Sequence, residues 1–110
     1  MTINISAKNV ELNEDLKSYV KEKVLKYEGQ ILEPAVCDIL LSDEFGPRGG
    51  EDKLVRITMS LPNEKNTIHV EAQTSDFFGS IDLVEGKLAR EIEKYKEIKK
   101  IGPRNEKELE

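Results

Sequence analysis

Residues 67–88 read Thr67-Ile68-His69-Val70-Glu71-Ala72-Gln73-Thr74-Ser75-Asp76-Phe77-Phe78-Gly79-Ser80-Ile81-Asp82-Leu83-Val84-Glu85-Gly86-Lys87-Leu88, and the hydrophobic period changes within them. Before Ser75, Ile68, Val70 and Ala72 alternate with polar residues, the period of a strand buried on one side only. After it, Phe77, Ile81, Val84, Leu88, Ile92 and Tyr95 recur every three or four residues, the period of a helix with one apolar stripe. A strand over 67–73 and a long helix over about 76–100 are therefore expected, with Ser75 as the helix cap and Gly102-Pro103 as its stop. Each element has one apolar side to hide, so each requires a partner layer.

The rest of the chain supplies those layers. Leu54 to Leu61 places Val55, Ile57, Met59 and Leu61 on one face, and Pro62 to Asn66 turns it into the strand above. Ala35 to Leu41 reads as another strand, followed from Asp43 to Asp52 by a breaker-rich stretch with Gly46, Pro47, Gly49 and Gly50, expected as a mobile loop. At the start, Ile3, Ile5 and Ala7 alternate with Thr2, Asn4 and Ser6, giving a strand over 2–8. Asn13 then caps a helix of about 14–28, with Leu16, Tyr19, Val20, Val24 and Tyr27 on one side and Gly29 as its end. The order β-α-β-β-β-α with one apolar face per element gives an α+β fold: a four-stranded mixed sheet with two helices on one face. Its first two strands are joined by a right-handed parallel crossover, and the others are antiparallel. Residues 1–101 form this single domain, and 102–110 are expected as a short, polar, disordered tail.

Composition excludes several classes of function. The single Cys37 rules out an internal disulfide, and the chain lacks both a signal peptide and an apolar run near the ~18 residues of a membrane span, so a cytoplasmic protein is expected. His69 falls on the polar face of its strand and Cys37 on the apolar face of another, so no Cys/His dyad forms. One His, one Cys and no acidic spacing of a calcium loop leave no expected metal site or cofactor. The glycines at 46, 49 and 50 lead into no helix and are not read as a phosphate cradle. No enzymatic activity and no small-molecule substrate are expected.

With 17 Lys+Arg against 22 Asp+Glu the chain carries −5, but residues 29–74 alone carry −4 and both helical segments are neutral. A partner meets the field of one face and not the sum over the chain. At about 100° per residue, with Lys87 at zero, Arg90 falls at about −60° and Lys94 at about −20°, while the apolar stripe centres at about 95°. Asp82, Glu85 and Glu93 lie away from that flank, and Lys96, Lys99 and Lys100 add charge toward the C-terminus. In the first helix, Lys23 and Lys26 flank the stripe on one side, Lys17 and Lys21 on the other. Side-by-side packing of the helices is expected to join Lys23 and Lys26 with Lys87, Arg90 and Lys94 in one cationic groove.

Ile3-Asn4-Ile5-Ser6-Ala7-Lys8, the Leu16…Tyr19-Val20…Lys23…Lys26 helix, and Ser75-Asp76-Phe77-Phe78…Ile81-Asp82…Lys87-Leu88…Arg90…Lys94-Tyr95-Lys96 form a collinear set over about residues 2–100. The set resembles the ribosome hibernation-promoting factor family, which includes the ribosome-associated inhibitor also called protein Y. The resemblance implies a fold similar in outline to a double-stranded RNA-binding domain. It also implies a non-enzymatic stress or stationary-phase factor whose partners are the small ribosomal subunit and its rRNA. Such a factor occupies the channel of mRNA and tRNA, blocks translation and preserves idle ribosomes. The matching rRNA-binding positions are Lys23, Lys26, Lys87, Arg90, Lys94 and Lys96, with Lys8 as a weaker match.

Phosphate contacts from lysine and arginine release counterions without reading bases, as suits a folded rRNA surface. Three departures stand out: Phe78 replaces a tyrosine usual in the family, the net charge is low for an rRNA binder, and the chain stops at Glu110. The last implies a short form, a monomer off the ribosome, that does not dimerise ribosomes unaided. The residues alone leave open a protein–protein module using the exposed sheet face of Arg56, Thr58, His69, Glu71 and Gln73.

Overall fold

The computed structural model describes residues 1–44, 52–62 and 67–99, with residues 98 and 99 described by their backbone alone. The loop expected at 43–52, the turn at 62–66 and the tail at 102–110 lie largely or wholly outside the described residues. The elements are β1 Thr2–Lys8, α1 Glu14–Leu25, a 3-10 turn Glu28–Gln30, β2 Val36–Asp43, β3 Lys53–Ser60, β4 Ile68–Thr74 and α2 Phe77–Lys99. They build one sheet in the order β1-β2-β3-β4, with β1 parallel to β2 and the other pairs antiparallel. The expected α+β architecture is the observed one. Chain order dictates the pairing, because α1 carries the chain back across the sheet between β1 and β2 whereas the later strands follow one another directly.

The register aligns whole rows of side chains. Ile5, Ile39, Ile57 and Val70 stand opposite one another across the four strands, and Ile3, Cys37, Met59 and Ile68 form the next row. These rows meet Leu16, Val20 and Val24 of α1 and Ile81, Val84, Leu88, Ile92 and Tyr95 of α2 in one core. Alternation sends Asn4, Asp38, Thr58 and His69 to the open face. Cys37 and His69 therefore lie on opposite sides of the sheet. Burial, with the charge of Asp38 added, pushes the Cys37 thiol up to about 12, so it is a core residue and not a nucleophile.

Strand ends shift by one or two residues, with β2 running on to Asp43, and two helix boundaries differ from the sequence reading for identifiable reasons. The first helix ends at Leu25 and not near residue 28, because the Tyr27 N–H bonds the Val24 carbonyl at 3.0 Å and Gln30 bonds Tyr27 at 2.9 Å. These three-residue hydrogen bonds tighten the chain into a 3-10 turn while Tyr27 and Ile31 are buried. Gly29 takes no left-handed conformation, so the stop is a tightening and not a glycine cap. The cap of α2 is Asp76 and not Ser75. Its carboxylate accepts from the Gly79 N–H at 3.0 Å and its carbonyl from Ser80 at 2.9 Å.

Ser80 fixes the start of α2 against the sheet. Fully buried, its hydroxyl donates to the Lys53 carbonyl at 2.5 Å and accepts from the Thr74 N–H at 3.0 Å. Between the helices, Tyr19 of α1 and Tyr27 just after it donate to Asp82 and Glu85 of α2 at 2.6 and 2.5 Å.

Two expectations follow for stability. Leu88 has no exposed surface, so Leu88→Ala should cost about 2–5 kcal/mol in urea unfolding, the range for a cavity of that size. The Tyr27 hydroxyl holds the Glu85 carboxyl below its ordinary 4.5, with Lys26 assisting, while burial and the same bond push Tyr27 from 10.0 up to about 12. The depressed Glu85 contributes stability above its unfolded value, lost as pH falls through the folded one; the raised Tyr27 contributes fully below pH 10, with loss as pH rises to about 12. The Tm difference between the wild type and Tyr27→Phe should be widest between about pH 5 and pH 10 and shrink on both sides. A difference independent of pH would contradict it.

Candidate nucleic-acid interface

Burial of the α2 stripe sets the rotation of that helix, and the rotation decides where each charged side chain goes. One flank of α2 faces α1. On it, Asp82 lies 3.8 Å from the Lys23 ammonium and Glu85 lies 2.9 Å from that of Lys26. The opposite flank lies over β4, the last strand of the sheet, where Lys87 donates to the Glu71 carbonyl at 2.8 Å. The inner flank of α2 is therefore acidic, and the single groove expected between the helices does not form. The physical reason is the phase: Asp82 and Glu85 lie on the far side of the stripe from Lys87, and α1 packs on that far side.

The cations instead form two rows, one on each side of α2. Lys23, Lys26 and Lys96 make the row along α1, with Lys96 donating to Gln30 at 2.9 Å and lying 3.3 Å from Glu93. Lys87, Arg90 and Lys94 make the outer row, at positions three and four apart on one helix face. Arg90 is exposed and has no partner among the described residues, whereas Lys94 is 70% exposed and pairs only with Glu91 at 3.3 Å. A helix with its side chains is about 10–12 Å across, so both rows are reachable from the solvent side of α2. Lys8 stands apart: alternation along β1 places it with Asn4 and Ser6 on the open sheet face, away from both helices.

The sequence did not reveal the aromatic contacts that accompany the inner row. Lys23 lies 5.0 Å above the Tyr19 ring and Lys26 lies 5.6 Å above that of Tyr27. Phe78, 40% exposed, packs edge-on against Tyr19 with ring centres 5.1 Å apart, so its hydrocarbon body is used without a hydroxyl. The wheel phases of Asp82 and Glu85 were the one available signal that α1 would meet carboxylates.

The open sheet face is internally compensated. Asn4 donates to Asp38 at 2.9 Å, Arg56 to Glu71 at 3.0 Å, and Thr58 shares a hydrogen bond with His69 at 3.1 Å. Arg56 holds the Glu71 carboxyl below the usual carboxylate range, with His69 adding to the effect. Among the described residues, no group of three His, Cys, Asp or Glu side chains is placed to hold a metal ion, and no helix is long and apolar enough to cross a membrane.

Comparison with known proteins agrees with the resemblance read from the residues. The chain is 30% identical over 102 residues to a ribosome hibernation promotion factor of Lactococcus lactis subsp. cremoris (strain MG1363), covering 93% of this chain and 53% of that protein. It is 27% identical over 97 residues to a ribosome hibernation promoting factor of Pseudomonas putida, covering 88% of each. It thus spans about half the length of the first of these curated relatives and most of the second. The fold is similar to that of a ribosomal subunit interface protein from Coxiella burnetii, with a TM-score of 0.69, 22% identity and coverage of 87% of this chain and 98% of that one. It is equally similar to the Thermus thermophilus Protein Y N-terminal domain, with a TM-score of 0.70, 20% identity and coverage of 86% and 99%. The pattern of one family also matches residues 3–100, nearly the whole chain, and the chain belongs to that family, described as Sigma 54 modulation protein / S30EA ribosomal protein.

Proposed function

We propose that this chain is a cytoplasmic, non-enzymatic hibernation factor that binds the small ribosomal subunit in the channel of mRNA and tRNA. Occupancy there blocks translation and preserves idle ribosomes in stationary or stressed cells. The observation that carries the reading is the pair of cation rows flanking α2 on the helical layer, with Lys26, Lys87, Arg90 and Lys94 exposed and Lys23 and Lys96 half-buried. Lys23, Lys26 and Lys96 from one row and Lys87, Arg90 and Lys94 from the other contact rRNA phosphates. Lys8, on the other face, is peripheral to that contact. The names of the curated relatives, ribosome hibernation promotion or promoting factors, support the same partner.

The physical basis is the phosphate field. Each Lys or Arg that meets a phosphate releases condensed counterions, so affinity is gained without base recognition and falls steeply with salt. The surface ion pairs that engage these lysines in the free protein do not abolish binding, because each exposed pair contributes only about 0–1 kcal/mol. The −5 of the whole chain does not oppose binding, since most of the excess acid lies in residues 29–74 and outside the two helices. Salt dependence also separates this reading from a protein–protein contact through the sheet face.

Co-sedimentation with vacant bacterial small subunits tests the proposal. Six phosphate contacts should lower the affinity by about three orders of magnitude between 50 and 200 mM salt. Lys87→Glu/Arg90→Glu/Lys94→Glu should fold normally, since these side chains lie off the buried stripe, and should lose binding. Arg56→Glu on the open sheet face should retain it. Unchanged binding by the triple variant would overturn the placement of the interface, and absence of binding by the wild type at low salt would overturn the function.

A further inference from the structure

The two cation rows differ in one respect: only the inner one faces carboxylates that are themselves held in place. Asp82 accepts from Tyr19 at 2.6 Å and lies 3.8 Å from Lys23; Glu85 accepts from Tyr27 at 2.5 Å and lies 2.9 Å from Lys26. Each ammonium stands against the ring of one of these tyrosines, at 5.0 Å for Lys23 and 5.6 Å for Lys26. The same triplet of tyrosine, carboxylate and lysine therefore occurs twice along the seam between α1 and α2. The first tyrosine and lysine lie on α1 and the second pair on the two residues just after it, and both acids come from α2. The outer row has no counterpart: among the described residues Arg90 has no partner, Lys94 meets only Glu91 on the same helix, and Lys87 meets a neutral carbonyl.

We infer that Asp82 and Glu85 are built-in counter-anions of Lys23 and Lys26, which limit the affinity of the ribosome complex and keep it reversible. The inference rests on the proposed function. In the free protein an anion is already stationed at Lys23 and Lys26, so a phosphate arriving there replaces one partner by another. The replacement also leaves two carboxylates facing the RNA, where like charge opposes the phosphates. The tyrosine hydroxyls keep both acids at the seam, so neither acid rotates away when the lysine leaves. A hibernation factor must come off when growth resumes, and a weaker inner row shortens the residence of the complex without removing any cation.

Asp82→Asn/Glu85→Gln tests this, because the amide oxygens still accept from both tyrosines and urea unfolding verifies the fold. An exposed ion pair is worth up to about fivefold in an equilibrium constant, so the double variant should bind vacant small subunits roughly five- to twentyfold more tightly. Most of the gain should appear as slower release. The same gain is expected on single-stranded poly(U), since the limit acts on any phosphate partner. Asp38→Asn/Glu71→Gln makes the same change in net charge on the open sheet face, away from the seam, and should shift either affinity by about twofold at most at 0.15 M salt. Adding Lys23→Gln/Lys26→Gln to the acid variant should remove the gain. Unchanged or weaker binding by the acid variant, a gain no larger than that of the control pair, or a gain that survives without the lysines would overturn the inference. Failure of the wild type to bind subunits would overturn the proposed function instead, and the poly(U) measurement would still decide whether the acids restrain the lysines.

Discussion

The rotation of α2 about its own axis is the constraint on which the surface of this protein depends. Ile81, Val84, Leu88 and Ile92 have no exposed surface, and together with Tyr95 they let the helix sit against the sheet in one orientation only. Ser80 fixes that orientation at the first turn by bonding β3 and β4 at once. A helix turned by one residue would put a charged side chain into the core and lose several kcal/mol. Every surface residue of α2 therefore has a fixed address: Asp82, Glu85 and Lys96 toward α1, Lys87 toward β4, and Arg90 and Lys94 along the same outer side.

That addressing reconciles an acidic chain with the polyanionic partner proposed for it. The charges are sorted in three dimensions more than in sequence, because residues three or four apart on one helix share a face while neighbours along the chain do not. The open sheet face spends its charges on itself, through Arg56 with Glu71 and Asn4 with Asp38. The helical layer carries six cations on its solvent side, two of them, Lys23 and Lys96, half-buried, and only Lys23 and Lys26 are matched by acids from α2 across the seam. On the proposal above, the limit on affinity is a property of that seam.

Much of this was legible from residue order. The alternation in β1, β3 and β4 and the stripe of α2 gave the sheet, the two-layer fold and the separation of Cys37 from His69, because apolar period alone decides which side chains are buried. The end of α1 was not legible. Gly29 resembles a stop, but the chain tightens two residues earlier while Tyr27 and Ile31 enter the core, a tertiary effect with no local signature. Nor did Ser75 yield to Asp76 by any rule of sequence, since both residues are good caps. The charged seam was half legible: the wheel gave the phases of Asp82 and Glu85 correctly, but which flank α1 would occupy is a matter of packing. The expected cationic groove failed for that reason, while its cations kept their places on the helices.

The most direct test of the central claim, that the helical layer and not the sheet meets the ribosome, is a covalent-labelling footprint of the protein free and bound to small subunits. Acetylation should be suppressed at Lys23, Lys26, Lys94 and Lys96 on binding. His69, the sole histidine and half exposed on the open sheet face, should keep its reactivity toward diethyl pyrocarbonate. Protection of His69 with the helix lysines still reactive would place the interface on the sheet and contradict the account.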